Sequence, residues 1–290
     1  MALIAINRPV SGTKPPLPVS INWGHPCARG LALCLLFNEG GGAPVDLVRQ
    51  RRPALNGTPA WNSGLMFDGP CLDFDGTGDY LDFGDEPEFS PTFGPGFSCF
   101  TRFRKDAATT NRHWLVSKGT GSNYEFGFYL GDGVDIGADE DIVAVIWDAS
   151  GNTGGLRATA TLTSVGVWTT AAFTWAGGLA TPDVFFNGQP DNGASSNSLT
   201  GPAGTASLLL VGERQDLGGA EFNGAMDILM LWNRQLLAPE IAELHRNPYC
   251  FLMPRRRTFW LNSAAAAAAL GPPQLHPSVN MRRQQATIGR

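Results

Sequence analysis

From Leu31 onward the chain reads as short apolar runs broken by turn residues. The runs fall at Leu31–Phe37, Leu65–Phe67, Cys71–Phe74, Tyr80–Phe83, Phe97–Phe103, His113–Ser117 and Tyr124–Leu130. They continue at Ile142–Trp147, Leu156–Leu162, Val167–Trp175, Asp183–Phe186, Ser207–Val211 and Ala225–Trp232. Between them stand Gly, Pro, Asn or Asp, and no strand–helix–strand rhythm appears. About a dozen such segments predict an antiparallel sandwich or jelly roll. Phe97–Phe103 shows the alternation best, with Phe97, Cys99, Thr101 and Phe103 on one face and Ser98, Phe100 and Arg102 on the other. One helix is predicted over Pro239–Arg246: proline stands in its first turn, Ile241 and Leu244 share a face, and Asn247-Pro248 ends it.

The two ends break the pattern. Residues 1–29 read as an extended arm, because Pro9, Pro15, Pro16, Pro18 and Pro26 forbid helix and hinder pairing. Residues 248–290 read as a basic tail. In it Asn262 or Ser263 caps a short polyalanine helix through Leu270, which Gly271-Pro272-Pro273 ends. The body is then residues 30–247.

Charge sharpens this division. The net charge of −5 hides basic ends on an acidic body: there is no Asp or Glu before Glu39 and none after Glu243. Residues 1–30 carry +3 and residues 247–290 carry +6, which leaves −14 on 31–246. Either the ends fold back on their own body, or they reach an acidic neighbour, which could be an identical subunit. On the second reading Arg8, Lys14, Arg255, Arg256, Arg257, Phe259, Trp260, Arg282 and Arg283 are the partner contacts. An acidic body argues against nucleic acid lying across it.

The five cysteines are odd in number, without CxxC, and are expected to be free thiols of a chain assembled in the cytoplasm. The apolar stretch Met1–Ile6 is too short for a signal peptide, and no run is long enough to span a membrane.

Several segments resemble a known family. Gly30–Gly42 resembles the opening strand of laminin G-like jelly-roll domains, and Leu72–Gly76 followed by Asp79–Phe83 is similar to their Phe-Asp-Gly-x-x-Asp-Tyr turn. Phe185-Phe186-Asn187-Gly188 resembles their Asn-Gly hairpin, and Phe222–Arg234 their last strand, leading into the Glu240-Ile241 helix. The resemblance covers about residues 30–250. It implies an all-β, concanavalin A-like (laminin G-like) antiparallel β-sandwich jelly roll with one short C-terminal helix and extended N- and C-terminal arms. Asn22–Pro26 before Ala28–Leu31, and the closing Asn247-Pro248 run into Pro254–Arg257, resemble structural proteins of phages and prophages.

That resemblance implies a non-enzymatic virion protein, a capsid decoration protein on the particle surface. Its expected partners are the major capsid protein or another virion protein and neighbouring copies of itself, with no membrane involved. The alternative is a module of a head or tail fibre binding a host glycan; third is a glycosidase of the same fold. No cofactor is expected. The family-style metal is a structural calcium at Asp46 and Asp227, though Arg49, Arg51 and Arg52 would repel a cation.

Other candidates have plain alternatives. Asp139-Glu140-Asp141 is the one dense acidic cluster beside a strand, but it precedes Ile142 and reads as a solvated loop, against the paired carboxylates a glycosidase needs. Asp73, Asp75, Thr77, Gly78 and Asp79 match half of an EF-hand loop, but position twelve is Gly84 and a tight Asp-Gly hairpin explains the same residues. The tryptophans Trp61, Trp114, Trp147, Trp168, Trp175 and Trp232 are read as core, with Trp61 the best candidate for exposure.

Overall fold

The computed structural model describes residues 14–254 apart from 64–68, 92–95, 109–110, 121–122, 135, 149–152, 201–206 and 215–219. The described residues form, in chain order, β1 (Val19–Ile21), β2 (Leu31–Leu35), β3 (Ala54–Asn56), β4 (Ala60–Ser63), β5 (Pro70–Asp75) and β6 (Tyr80–Asp82). Then come β7 (Phe97–Lys105), β8 (His113–Thr120), β9 (Asn123–Asp132), β10 (Asp139–Trp147), β11 (Thr153–Thr159) and β12 (Trp168–Trp175). β13 (Asp183–Phe186), β14 (Gln189–Pro190), β15 (Asn192–Asn197), β16 (Leu209–Val211) and β17 (Asn223–Trp232) lead to helix α1 (Ala238–Arg246) and β18 (Leu252–Pro254).

Two large antiparallel sheets face each other. Sheet I has the order β15-β11-β10-β9-β8-β16-β6-β3; sheet II has β14-β13-β12-β7-β17-β5-β4, with β2 also on β17. The predicted alternation holds in β7: Phe97, Cys99 and Phe103 enter the core between the sheets, and Phe100 faces the other way. From sheet I that core receives Phe126, Phe128, Leu130, Ile142, Ala144 and Ile146. The segment Leu65–Phe67, read as a strand, lies outside the described residues.

Sheet II has a second apolar face. Cys34, Phe100, Ile228, Met230 and Trp232 pack there against Cys27, Ala28, Ile241, Leu244, Tyr249, Phe251 and Leu252. This is why β2 and β17 read as near-continuous apolar runs: they are covered on both faces. The cover is α1, a 3₁₀ turn over Pro26–Ala28, and a two-stranded sheet of β1 and β18 in which Val19 lies opposite Pro254 and Ile21 opposite Leu252. The boundaries expected from the sequence therefore move. Residues 14–29 are part of the body and not an arm, and residues 248–254 are body and not tail.

Helix α1 matches its sequence signature. Its N-cap, Leu237, has no side-chain oxygen, and the Glu240 carboxylate accepts from the Leu237 amide at 2.9 Å instead.

The Asp-Gly turn is not a hairpin. It links β5 in sheet II to β6 in sheet I, so the chain changes sheets there. Buried Asp79 holds this corner: Oδ1 accepts from the Thr58 amide (2.6 Å) and Oδ2 from the Asp75 amide (3.1 Å). Gly57, at φ +70°, must be glycine, since a Cβ would lie 2.2 Å from the Asp79 carboxylate.

Candidate functional site

The ends of the body converge. Pro254 sits across from Val19, five residues beyond Lys14, so the first and last strands of the described body lie side by side. Lys14, expected to contact a partner, is instead internal, at 6% exposure. Its Nζ donates to the carbonyls of Phe37 (2.9 Å) and Pro70. Its stem lies where any side chain at residue 69 would stand, which explains Gly69. Burial pulls its pKa down to about 8, with Asp227 opposing the shift. The remaining predicted contacts, Arg8, Arg255, Arg256, Arg257, Phe259, Trp260, Arg282 and Arg283, lie outside the described residues, as does the polyalanine helix.

The two acids suggested as calcium ligands are already satisfied by other donors. Asp46 is buried: Oδ1 accepts from the Cys34 and Val48 amides (3.1 and 2.9 Å) and Oδ2 from the Arg49 amide (3.2 Å). Burial pushes its pKa up, and these amides pull it back. Asp227 on β17 pairs with buried Arg102 on β7, whose Nε donates to Oδ1 and Oδ2 (2.8 and 3.0 Å) and whose Nη2 also donates to Oδ2. Arg102 Nη2 further donates to the Tyr249 hydroxyl at 2.8 Å, tying residue 249 to sheet II. Calcium needs several free oxygens, and these carboxylates offer few.

The acidic cluster is placed differently from its sequence reading. It opens β10 rather than forming a solvated loop, and Asp141 is fully buried. Its Oδ2 accepts from the Ala138 amide at 2.8 Å, while Oδ1 has no hydrogen-bond partner among the described residues. Gly131 and Gly137 leave it room, for a Cβ at either would collide with the carboxylate. Burial raises its pKa to about 6, with Asp139 and Asp132 adding to the shift. A raised carboxyl pKa is a property of general acids, but this group has no open path to a substrate. Glu140 pairs with the buried Lys105 ammonium.

Beside Asp141, on the outer face of sheet I, lies an aromatic cluster. Trp114 and Tyr129 are 4.4 Å apart between ring centres, Trp147 stacks 6.4 Å from Trp114, and Val143, Val145 and Leu156 surround them. Arg214 lies 4.9 Å over the Trp114 ring, and the Trp114 amide donates to Ala220 O at 3.2 Å. Buried so, these rings are a satellite core and not an open stacking platform. Trp175 and Trp232 are buried as expected, whereas Trp61 and Trp168 are half-buried. Among the described residues the exposed tryptophan is Trp23, at 54%.

An open depression of about 240 Å³ lies at the start of α1. Phe185, Leu236 and Leu237 give it an apolar floor, and Thr174, Asp183, Asn192 and Gln235 line it with polar groups. Asn192 Nδ2 donates to Asp183 Oδ1 at 2.9 Å, which fixes both side chains.

One constellation escaped sequence reading. His25, Cys27 and Cys250 come together at the terminal junction, their nitrogen and sulfur atoms all within 4.8 Å of one another. The His-x-Cys spacing was its only local signal; the third member comes from the far end of the body.

The architecture is shared with solved structures at low identity. Domain 4 of an extracellular arabinanase from Geobacillus stearothermophilus, in complex with arabinotriose, is 17% identical with a TM-score of 0.55, covering 74% of this chain and 98% of that one. The binding domain of a Paraclostridial mosquitocidal protein is 15% identical with a TM-score of 0.56, covering 76% of this chain and 52% of that one. A Trypanosoma rangeli sialidase in complex with sialic acid is 16% identical with a TM-score of 0.52, and the match covers 77% of this chain but 33% of the sialidase. These likenesses show the fold alone. No curated protein matches the chain in sequence. Residues 75–242, more than half of the chain, match the Laminin_G_3 family model, and the chain therefore belongs to this family of the Concanavalin A-like lectin/glucanases superfamily.

Proposed function

We propose that this chain is a non-enzymatic structural protein of a tailed-phage particle, a decoration protein whose basic flanking segments grip the capsid while the sandwich is displayed. One observation carries the reading: the first and last strands of the described body, β1 and β18, pair with each other, with Val19 opposite Pro254. The charge is divided along the same line. Residues 1–13 and 255–290 hold seven arginines and no acid, which leaves −12 on residues 14–254. Positive segments at both ends of an acidic body favour an acidic partner surface, and repeated copies would add stability by multivalent attachment. The resemblance of Asn22–Pro26 and of Pro254–Arg257 to phage structural proteins supports a virion protein as the partner. The burial of Asp141 and the closed aromatic cluster weigh against catalysis.

The test is to count copies of the chain in purified particles by quantitative mass spectrometry, and then to load Arg255/Arg256/Arg257→Glu onto empty capsids. Decoration predicts hundreds of copies per particle, loading that weakens as salt rises, and poor loading of the variant. If the charge-reversed chain loads as well as the native one, the reading fails.

A second reading is glycan recognition, favoured by the depression at the start of α1 with its fixed Asp183–Asn192 pair. The arabinotriose complex of the arabinanase domain lends it support. Signals on a glycan array that disappear in Asn192→Ala, with at most a few dozen copies per particle, would favour it over decoration.

A further inference from the structure

We propose that His25, Cys27 and Cys250 bind a soft four-coordinate cation of the zinc class, which clamps the terminal junction shut. The proposal goes beyond the attachment reading and does not depend on it.

The donor set is the first ground. One imidazole and two thiols lie mutually within 4.8 Å, and a tetrahedral zinc with bonds of about 2.0–2.3 Å would separate such donors by about 3.5–3.8 Å. The donors would have to close by about 1 Å at most to reach that geometry. Thiolate and imidazole select soft or borderline metals, and none of the three is an oxygen ligand of the kind calcium or magnesium demands.

The backbone under the donors is the second ground, because it is fixed by contacts unrelated to any metal. Trp232 Nε1 donates to Cys27 O at 2.8 Å, and Arg234 Nη2 donates to Pro26 O at 3.0 Å. Arg234 itself is held by a two-pronged pair with Glu240 at the start of α1. The Cys27 amide donates to His25 Nδ1 at 3.2 Å, a hydrogen bond that gives way when the ring takes a metal. The His25 ring packs 6.4 Å from Phe251. On the other side the Cys250 amide donates to Asn247 O at 3.1 Å, in the turn that follows α1. The three donors thus stand on two anchored turns, as a preorganised site requires.

Charge is the third. Cys27 is buried, and His25 and Cys250 are half-buried. A divalent cation bound by two thiolates and a neutral imidazole forms a unit of zero net charge, which avoids the cost of burying an ion. On binding, each thiol gives up its proton to solvent, the two sulfurs and one ring nitrogen each supply an electron pair to the metal, and water takes the fourth position. No oxidation occurs. The bound metal joins the turn before β2 to the turn before β18, beyond the end of the β1–β18 pair at which Ile21 faces Leu252.

The experiment uses the full chain, reduced and freed of metal under anaerobic conditions, and titrates it with Co(II). One equivalent should give the sulfur-to-cobalt charge-transfer band and the visible bands of a tetrahedral site, displaced by Zn(II), with two protons released per metal at a pH where both thiols start protonated. Cys27→Ser and Cys250→Ser should lose the charge-transfer band or halve it, His25→Ala should weaken binding, and Cys71→Ala should leave it intact. A measurement on the native chain guards against misfolded variants: Zn(II) should protect Cys27 and Cys250, and no other cysteine, from alkylation mapped by mass spectrometry. Absence of a one-equivalent band, an unchanged band in both serine variants, or no selective protection overturns the proposal. So does a Cys27–Cys250 disulfide whose reduced form takes up no metal.

Discussion

Replacing Asp227 with Asn tests how the body is held together. The carboxylate is 4% exposed and pairs with Arg102, also 4% exposed, through two Nε contacts and one from Nη2. Removing the negative charge strands a buried guanidinium, and breaking such a pair costs about 3–5 kcal/mol. For a body of this size each kcal/mol shifts the unfolding midpoint by about 2–4 °C, so Asp227→Asn should lower Tm by about 6–20 °C. A second cation feels the loss. Burial already holds Lys14 near a pKa of 8 and Asp227 keeps it from falling further, so the variant should drive Lys14 lower. Removing both charges together, as Arg102→Met with Asp227→Leu, should restore most of the stability, because a well-packed apolar pair often replaces a buried ion pair at little cost. The shortfall should be about 1 kcal/mol for the Tyr249 hydroxyl left without its donor. Urea unfolding of the native chain, Asp227→Asn, the single variants Arg102→Met and Asp227→Leu, and the double variant closes the cycle. If Asp227→Asn loses less than about 1 kcal/mol, or the double variant is as weak as the worse single one, the argument that this pair fastens residue 249 to sheet II is wrong. The same cycle addresses calcium: a cation held at Asp227 would raise the native midpoint when added, and none is expected to do so.

Asp141→Asn should stabilise the chain at pH 7.5 by up to about 3 kcal/mol, with the gain vanishing as pH falls toward 4. The folded pKa of about 6 lies above the ordinary 3.8 of an aspartate, so ionisation penalises the fold increasingly between those values, and the native stability falls as pH rises through that window. Thermal unfolding across that pH range decides it; a gain that persists undiminished at pH 4 would show that titration is not the cause. Gly57→Ala should cost about 2–4 kcal/mol by denaturant unfolding, from the left-handed backbone and the collision with Asp79. A wild-type midpoint there would mean that the β5–β6 corner is not built as described. A chain ending at Pro254 should unfold at the native midpoint. One ending at Asn247 loses the buried Tyr249, Phe251 and Leu252 and should be destabilised by about 5–8 kcal/mol, read by circular dichroism.

The long strands were legible because each side chain reports its face. In β7, Phe97, Cys99 and Phe103 point to one core and Phe100 to another, and the sequence alternates to match. Helix α1 was legible for a similar local reason, since proline, the Ile241–Leu244 face and Asn247-Pro248 all act within a few residues. The missed strands carry no such mark. Gln189–Pro190 and Asn192–Asn197 sit at sheet edges with mostly exposed side chains, and only the neighbouring backbone makes them strands. Asp139–Asp141 looked like a solvated loop because burial of a carboxylate depends on neighbours such as Gly131, which sequence proximity does not reveal.

Determined by the sequence alone, then, were the sandwich class, the positions of most strands, the helix and the segregation of charge, all of which follow from residue order over a few positions. The tertiary structure decided which segments cover the second face of sheet II. It turned the proline-rich residues 14–29 and the closing residues 248–254 into a paired cap. It also buried Lys14 against two carbonyls and brought His25 and Cys27 to Cys250. Contacts between the two ends of a chain depend on the path of everything folded between them, and no local pattern of residues encodes that path.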